Sequence, residues 1–144
     1  MRLLIQRVSE ASVSVDNHTI GKIGHGYLVL LGIGAEDSEA DADRLIQKMV
    51  RLRIFSDDDG RINLSLKDVG GSLLVVSQFT LYADTRHGNR PGFSLAAKPE
   101  KANALYEYFL ARCRETVPVV EHGSFGAYME VSLVNDGPFT VLLE

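Results

Sequence analysis

Residues 134–144 read VNDGPFTVLLE. Apolar residues alternate into this stretch at Val131 and Leu133, and out of it at Phe139, Val141 and Leu143. Period-two alternation marks a half-buried strand. Asp136, Gly137 and Pro138 lie between the two runs and carry turn chemistry, so the stretch predicts two strands joined at a turn. Pro138 needs a further reason. It has no backbone N–H, and it stands where the outgoing strand should begin to pair.

The same alternation opens the chain, where Ala11, Val13 and Val15 are separated by Ser12 and Ser14. Residues 16–26 (DNHTIGKIGHG) set turn residues around a short strand, as in a hairpin meander. Residues 27–34 (YLVLLGIG) form a continuous apolar run, short enough for a central strand. The period then changes. Ala42, Leu45, Ile46 and Met49 recur at helical spacing, with Ser38 and Asp41 placed as a capping box. Residues 55–63 (FSDDDGRIN) predict a solvated turn, and residues 72–76 (SLLVV) a buried strand. A second helix is expected from Pro99, with Ala102, Leu105, Tyr106, Phe109 and Cys113 facing inward. The expected fold is one α+β domain over residues 1–144. Its sheet is mainly antiparallel and partly barrel-like, covered by two amphipathic helices.

The bulk properties narrow the function. A chain of 144 residues, 45% hydrophobic and 24% charged, can bury a core without metal or disulfide. Its one cysteine cannot form an intrachain bridge. The first residues alternate and soon turn polar, unlike a signal peptide, and no apolar run reaches membrane-spanning length. A cytoplasmic protein with no membrane association is expected. The net charge of -4 argues against a broad nucleic-acid groove but leaves room for contact with a short single-stranded end.

Few residues offer chemistry by themselves. Ser77, Gln78 and Thr80 crowd the end of the SLLVV strand, where functional groups are often displayed; they equally suit the strand's last backbone groups. Arg86 and Arg90 flank Gly88 in ADTRHGNRPGF (residues 83–93) and suit a phosphate, or simply a solubilising loop. His18, His25, His87 and His122 show no ligand spacing, and Cys113 lies on a helix's inner face. The glycines of GHG (24–26) and GIG (32–34) lack the helix that a phosphate loop needs. No metal, cofactor or nucleophile with a partnered base emerges.

SQFTL (77–81) and NDGPFT (135–140), taken together, resemble D-aminoacyl-tRNA deacylase. The resemblance extends to MRLLIQRVSEASVSV (1–15), GNRPGF (88–93), ALYEYF (104–109) and MEVSLV (129–134), hence along the whole chain. Gly92 replaces a serine frequent in the family, and Phe139 a valine. The resemblance implies a homodimer that hydrolyses the ester between a D-amino acid and the tRNA 3′ end. It implies removal of glycine mischarged on alanine tRNA as well. It implies tRNA-assisted chemistry, in which the terminal ribose 2′-hydroxyl helps activate water. Ser77, Gln78, Phe79 and Thr80 would line the pocket, with N–H groups near Phe79 and Thr80 facing the oxyanion. Thr80 is an alternative nucleophile, although nothing in the sequence supplies it a base. Phe125 and Met129 would lie near the terminal adenine, and Ala102 at the pocket wall. Gly137-Pro138 would be a cis peptide whose carbonyls enter the partner's pocket and occupy the space of an L side chain. Two readings of another class also stand: a non-catalytic RNA-end or nucleotide-binding module, and a structural dimer hooked by the Gly-Pro tip.

Overall fold

The computed structural model describes all residues, Met1–Glu144. Strand β1 (Arg2–Val15) organises the sheet. Residues 2–8 of β1 pair antiparallel with β3 (Gly26–Gly32), and residues 11–15 pair with β2 (His18–Ile23) along the same edge. Asp16 and Asn17 both adopt positive φ in the tight turn between β1 and β2. On its other edge β1 pairs antiparallel with β8 (Glu130–Leu143), from Leu3 opposite Leu143 to Ser14 opposite Glu130. Beyond β3 the sheet continues in parallel through β6 (Ser72–Ser77) to β7 (Val120–His122). A small hairpin, β4 (Phe55–Ser56) and β5 (Ile62–Leu64), stands apart. Its turn is closed by the Asp57 carboxylate, which accepts bonds from the Asp59 and Arg61 N–H groups and the Asn63 amide.

Two expectations change. VNDGPFT is not a hairpin: both apolar runs belong to the single strand β8 and pair with the same partner in the same direction. Val8 faces Asn135 while Gln6 faces Thr140, so residues 136–139 bulge from the ladder. Alternation reports which side of a strand is buried and says nothing about whether the chain reverses. The sheet is also more mixed than expected, since β3–β6 and β6–β7 are parallel. A parallel strand covered on both faces reads as a continuous apolar run, which is what residues 72–76 are.

The sheet curls until β2 approaches β7. A methyl group at Gly21 would stand 2.8 Å from the His122 carbonyl oxygen, so this approach requires glycine. Inside the curl Val8, Val13, Leu28, Leu74 and Val76 form a small core. The larger core, 23 buried residues, lies between the outer face and two helices, α1 (Glu39–Arg51) and α2 (Pro99–Arg114). Both helices bury the expected faces. Ser38 donates its N–H and its hydroxyl to the Asp41 carboxylate, each at 2.9 Å, closing the first turn of α1. These bonds, the backbone one foremost, hold the Asp41 carboxyl below its usual range. Asp43 of α1 latches α2 by accepting from Arg112 Nε at 2.9 Å and from the Tyr108 hydroxyl at 3.0 Å. No helix is long and apolar enough to cross a membrane.

Cys113 is fully buried under α2, and burial pushes its thiol up to about 12. At pH 8 it should react with Ellman's reagent only as the chain unfolds. Rapid labelling of native protein would show that α2 opens locally.

Candidate functional site

Strand β6 ends at Ser77, and α2 carries the chain back to the start of β7, so α2 runs antiparallel to β6. The Tyr106 hydroxyl donates to the Val75 carbonyl at 2.8 Å, and Gly123 N–H donates to the same oxygen at 3.2 Å. One helical turn before Tyr106, about 5–6 Å along the axis, Ala102 comes level with Ser77. Phe125 packs against Tyr106 with ring centroids 5.9 Å apart. Met129 lies across Gly123, packed on the inner core beside Val76; its Sδ accepts the Ser124 N–H at 3.3 Å. The fold therefore gathers Ser77, Gln78, Phe79, Thr80, Ala102, Phe125 and Met129 at the carboxyl end of β6. Ligands of parallel sheets commonly bind at such ends. Ala102 itself is largely core, at 8% exposure, while Phe125 and Met129 are half-buried.

Beyond β6 the chain makes a single 3-10 turn, Phe79–Tyr82. Gln78 N–H donates to Leu31 O at 2.8 Å, and its side-chain amide donates to the Thr80 hydroxyl. Phe79 and Thr80 are the first two residues of this turn, so their N–H groups have no acceptor within it. Two adjacent N–H groups on exposed residues at the start of a helical turn can stabilise a developing oxyanion. No histidine or carboxylate hydrogen-bonds the Thr80 hydroxyl. His122, on β7, places Nδ1 2.6 Å from Gly123 O.

The edge of Phe93 meets Phe79, with ring centroids 4.9 Å apart. Paired backbone bonds between Asp84 and Gly92 pinch off the loop that holds the arginines. Arg86, which the sequence offered to a phosphate, is paired with Asp84 while its side chain stays exposed. Its Nε and Nη2 grip Asp84 at 2.9 and 2.7 Å, and these bonds hold the Asp84 carboxyl down at about 2. Arg90 is exposed and makes no ion pair.

Gly137-Pro138 is a cis peptide at the crest of the β8 bulge. Asn135 closes the base: its Oδ1 accepts the Phe139 N–H at 2.6 Å, and its amide donates to Gln6 Oε1 at 3.2 Å and to Thr140 Oγ1 at 3.1 Å. Arg7, the only buried charged residue, donates to Asp136 O at 2.8 Å and Ile54 O at 2.6 Å, and lies 4.8 Å over the Phe139 ring. The bulge is level with Val8, Gly26 and Ser72. Ser77 lies five residues further along β6, about 16 Å, and three strands across, about 14 Å. The tip is therefore remote from its own chain's Gln78 and Thr80.

The family described as D-Tyr-tRNA(Tyr) deacylase matches residues 4–144. The chain belongs to that family. It is 59% identical over 144 residues to a D-aminoacyl-tRNA deacylase of Roseiflexus castenholzii, covering 100% of this chain and 92% of that one. It is 54% identical to a D-aminoacyl-tRNA deacylase of Clostridioides difficile, covering 100% and 97%. Among solved structures, the c-Myc DNA unwinding element binding protein superposes with TM-score 0.95 at 41% identity, covering 100% and 98%. A probable eukaryotic D-amino acid tRNA deacylase superposes with TM-score 0.86 at 18% identity, covering 99% and 97%, a likeness of fold alone.

Sequence reasoning passed over two members of the bulge, Arg7 and Asn135. Arg7 carried a signal: it follows Leu3 and Ile5 on an alternating buried face, where an unexplained charge needs partners. Asn135 has a side chain that can bond backbone a few residues on, as Asn does in turns. Asn135→Ala strands the Phe139 N–H and should cost about 1–3 kcal/mol in urea denaturation with an unchanged m-value. A loss below about 0.5 kcal/mol would show that the bulge holds without it.

Proposed function

We propose that this protein is an aminoacyl-tRNA editing hydrolase. It deacylates D-aminoacyl-tRNA in the cytoplasm, releasing the free D-amino acid and tRNA, and removes glycine from mischarged alanine tRNA. The observation that carries this reading is the pair of N–H groups that opens the turn at Phe79 and Thr80, in a site without a nucleophile–base pair. Such a site supplies position and oxyanion stabilisation and takes its base from elsewhere. The terminal ribose 2′-hydroxyl fills that role. Water adds to the ester carbonyl, the two N–H groups hold the oxyanion, the carbonyl carbon–oxygen bond breaks, and the proton leaves on the ribose oxygen. Phe125 and Met129 offer apolar surface to the terminal adenine, and Arg90 is free to meet a backbone phosphate. The acidic chain grips only the end of its substrate.

D-Tyrosyl-tRNA should lose its ester and L-tyrosyl-tRNA should keep it, with or without chelator. D-Tyrosyl-tRNA ending in 2′-deoxyadenosine should bind but hydrolyse far more slowly. Thr80→Val, which keeps the N–H and removes the hydroxyl, should retain substantial activity. Binding without hydrolysis of any aminoacyl-tRNA would favour an RNA-end module instead, and an unimpaired deoxy substrate would return Thr80 to the role of nucleophile.

Chirality is set in a homodimer, where the exposed Gly137-Pro138 tip enters the partner's pocket. Its carbonyls take the space of an L side chain, and glycine passes. The register distance between the tip and its own Gln78 supports this reading. A heterodimer tests it, pairing one chain bulked at Gln78 and Thr80 with one carrying Ala at Gly137 and Pro138. Acting in trans, one site combines both intact parts. It should hydrolyse D-tyrosyl-tRNA and spare L at about half the wild-type capacity, if the sites are independent. An intact heterodimer that attacks L-tyrosyl-tRNA, or is inactive, would place the tip's action within its own chain or outside chiral selection.

A further inference from the structure

The GIG of residues 32–34 closes β3, and both of its glycines touch the turn that starts at Phe79. A methyl group at Gly32 would stand 2.9 Å from Leu81 Cβ and 3.2 Å from Gln78 O. A methyl group at Gly34 would stand 3.0 Å from Tyr82 Cε1, Cζ and hydroxyl oxygen alike. Carbon atoms in contact prefer about 3.5–4.0 Å, so a methyl at Gly32 would press on Leu81 at the backbone end of its side chain, and one at Gly34 would force the Tyr82 ring to give way. Two polar groups grip the same residues. Arg2 Nη1 donates to Leu81 O at 2.6 Å, and its guanidinium lies 4.5 Å from the Tyr82 ring centroid. Asp37 Oδ2 accepts the Gly34 N–H at 2.6 Å and the Tyr82 hydroxyl at 3.4 Å, tying the glycine and the ring to one carboxylate.

We propose that Gly32, Gly34, Arg2 and Asp37 form a seat that aims the Phe79 and Thr80 N–H groups through Leu81 and Tyr82. They are positioning residues that touch no substrate, and the proposal rests on the oxyanion role argued above. Phe79 and Tyr82 bound one 3-10 turn, in which three residues complete a revolution. Leu81 N–H donates to Gln78 O at 3.2 Å and Ala83 N–H to Thr80 O at 3.0 Å, so a displacement of Leu81 or Tyr82 bears on the Thr80 peptide plane. Oxyanion donors must be held within about 0.5 Å of their working position. The seat meets that need by giving Leu81 and Tyr82 no second resting place: glycine leaves space for each residue, and a charged group fixes it there.

Four variants test this: Gly34→Ala, Tyr82→Leu, their double, and Arg2→Lys, which keeps the charge but not the planar fork. Each is assayed for kcat and KM on D-tyrosyl-tRNA. Each is titrated with two adenosine probes: a D-tyrosyl 3′-amide resembling the ground state, and the matching phosphonate, whose charged oxygens resemble the oxyanion. Gly34→Ala and Arg2→Lys should lower kcat about tenfold or more, a modest share of what losing a whole oxyanion donor costs, with KM little changed. Phosphonate affinity should fall by the same factor, while the amide probe binds as before with full stoichiometry, which counts intact sites. Tyr82→Leu removes the atoms that the Gly34 methyl strikes, so the double variant should be no worse than Tyr82→Leu alone. Equal weakening of both probes, unchanged phosphonate affinity, or additive losses in the double variant would overturn the seat. If Gly34→Ala does not fold, Arg2→Lys decides by the same two probes. A wild-type protein that leaves D-tyrosyl-tRNA intact would instead refute the functional reading itself.

Discussion

Everything in this fold hangs on keeping the backbone of β1 paired along both edges. The strand runs 14 residues through the middle of the sheet, and its buried N–H and C=O groups must find their partners in the neighbouring strands. β2 and β3 share one edge in succession, and β8 takes the whole of the other. That demand explains why the C-terminal segment stays a single strand across a Gly-Pro pair that cannot itself join the ladder. The surplus residues are pushed out as a bulge, where Arg7 and Asn135 bond the carbonyls and N–H groups that the ladder has lost. A functional-looking projection thus arises from the register of two long strands.

The candidate site arises differently, from the parallel half of the sheet. Two crossovers bring α1 and α2 onto one face and leave the carboxyl ends of β3 and β6 side by side, with Leu31 O accepting the Gln78 N–H. The turn after β6 therefore rests on the residues after β3, and glycine at 32 and 34 is the condition for that close approach. What the turn displays is backbone. Backbone donors need no tuned pKa, which fits a site whose nearby ionisable groups are engaged elsewhere: Arg86 with Asp84, and Arg2 and Asp37 beneath Tyr82. The positive charge left free around the site is small, in keeping with the net charge of -4.

The amino-acid sequence by itself determined most of the elements. Helical spacing located both helices and their buried faces, Ser38 and Asp41 marked the start of α1, and the apolar run of residues 73–76 marked a buried strand. These features are local: propensity, capping and periodicity act within a few residues, and one chain suffices to read them. The motifs SQFTL and NDGPFT were legible likewise, because each is contiguous. Tertiary structure alone decided that β8 does not turn, that Arg86 is occupied, that Arg7 is buried under the tip, and that GIG is a seat for Tyr82. Each of these depends on which residue lies opposite which, across separations of up to 129 positions in the case of Arg7 and Asp136. Period-two alternation is the same whether a strand continues or reverses, and a glycine looks the same whether it frees a loop or admits an aromatic ring. Only the pairing partner across the sheet separates those cases, and no local pattern encodes it.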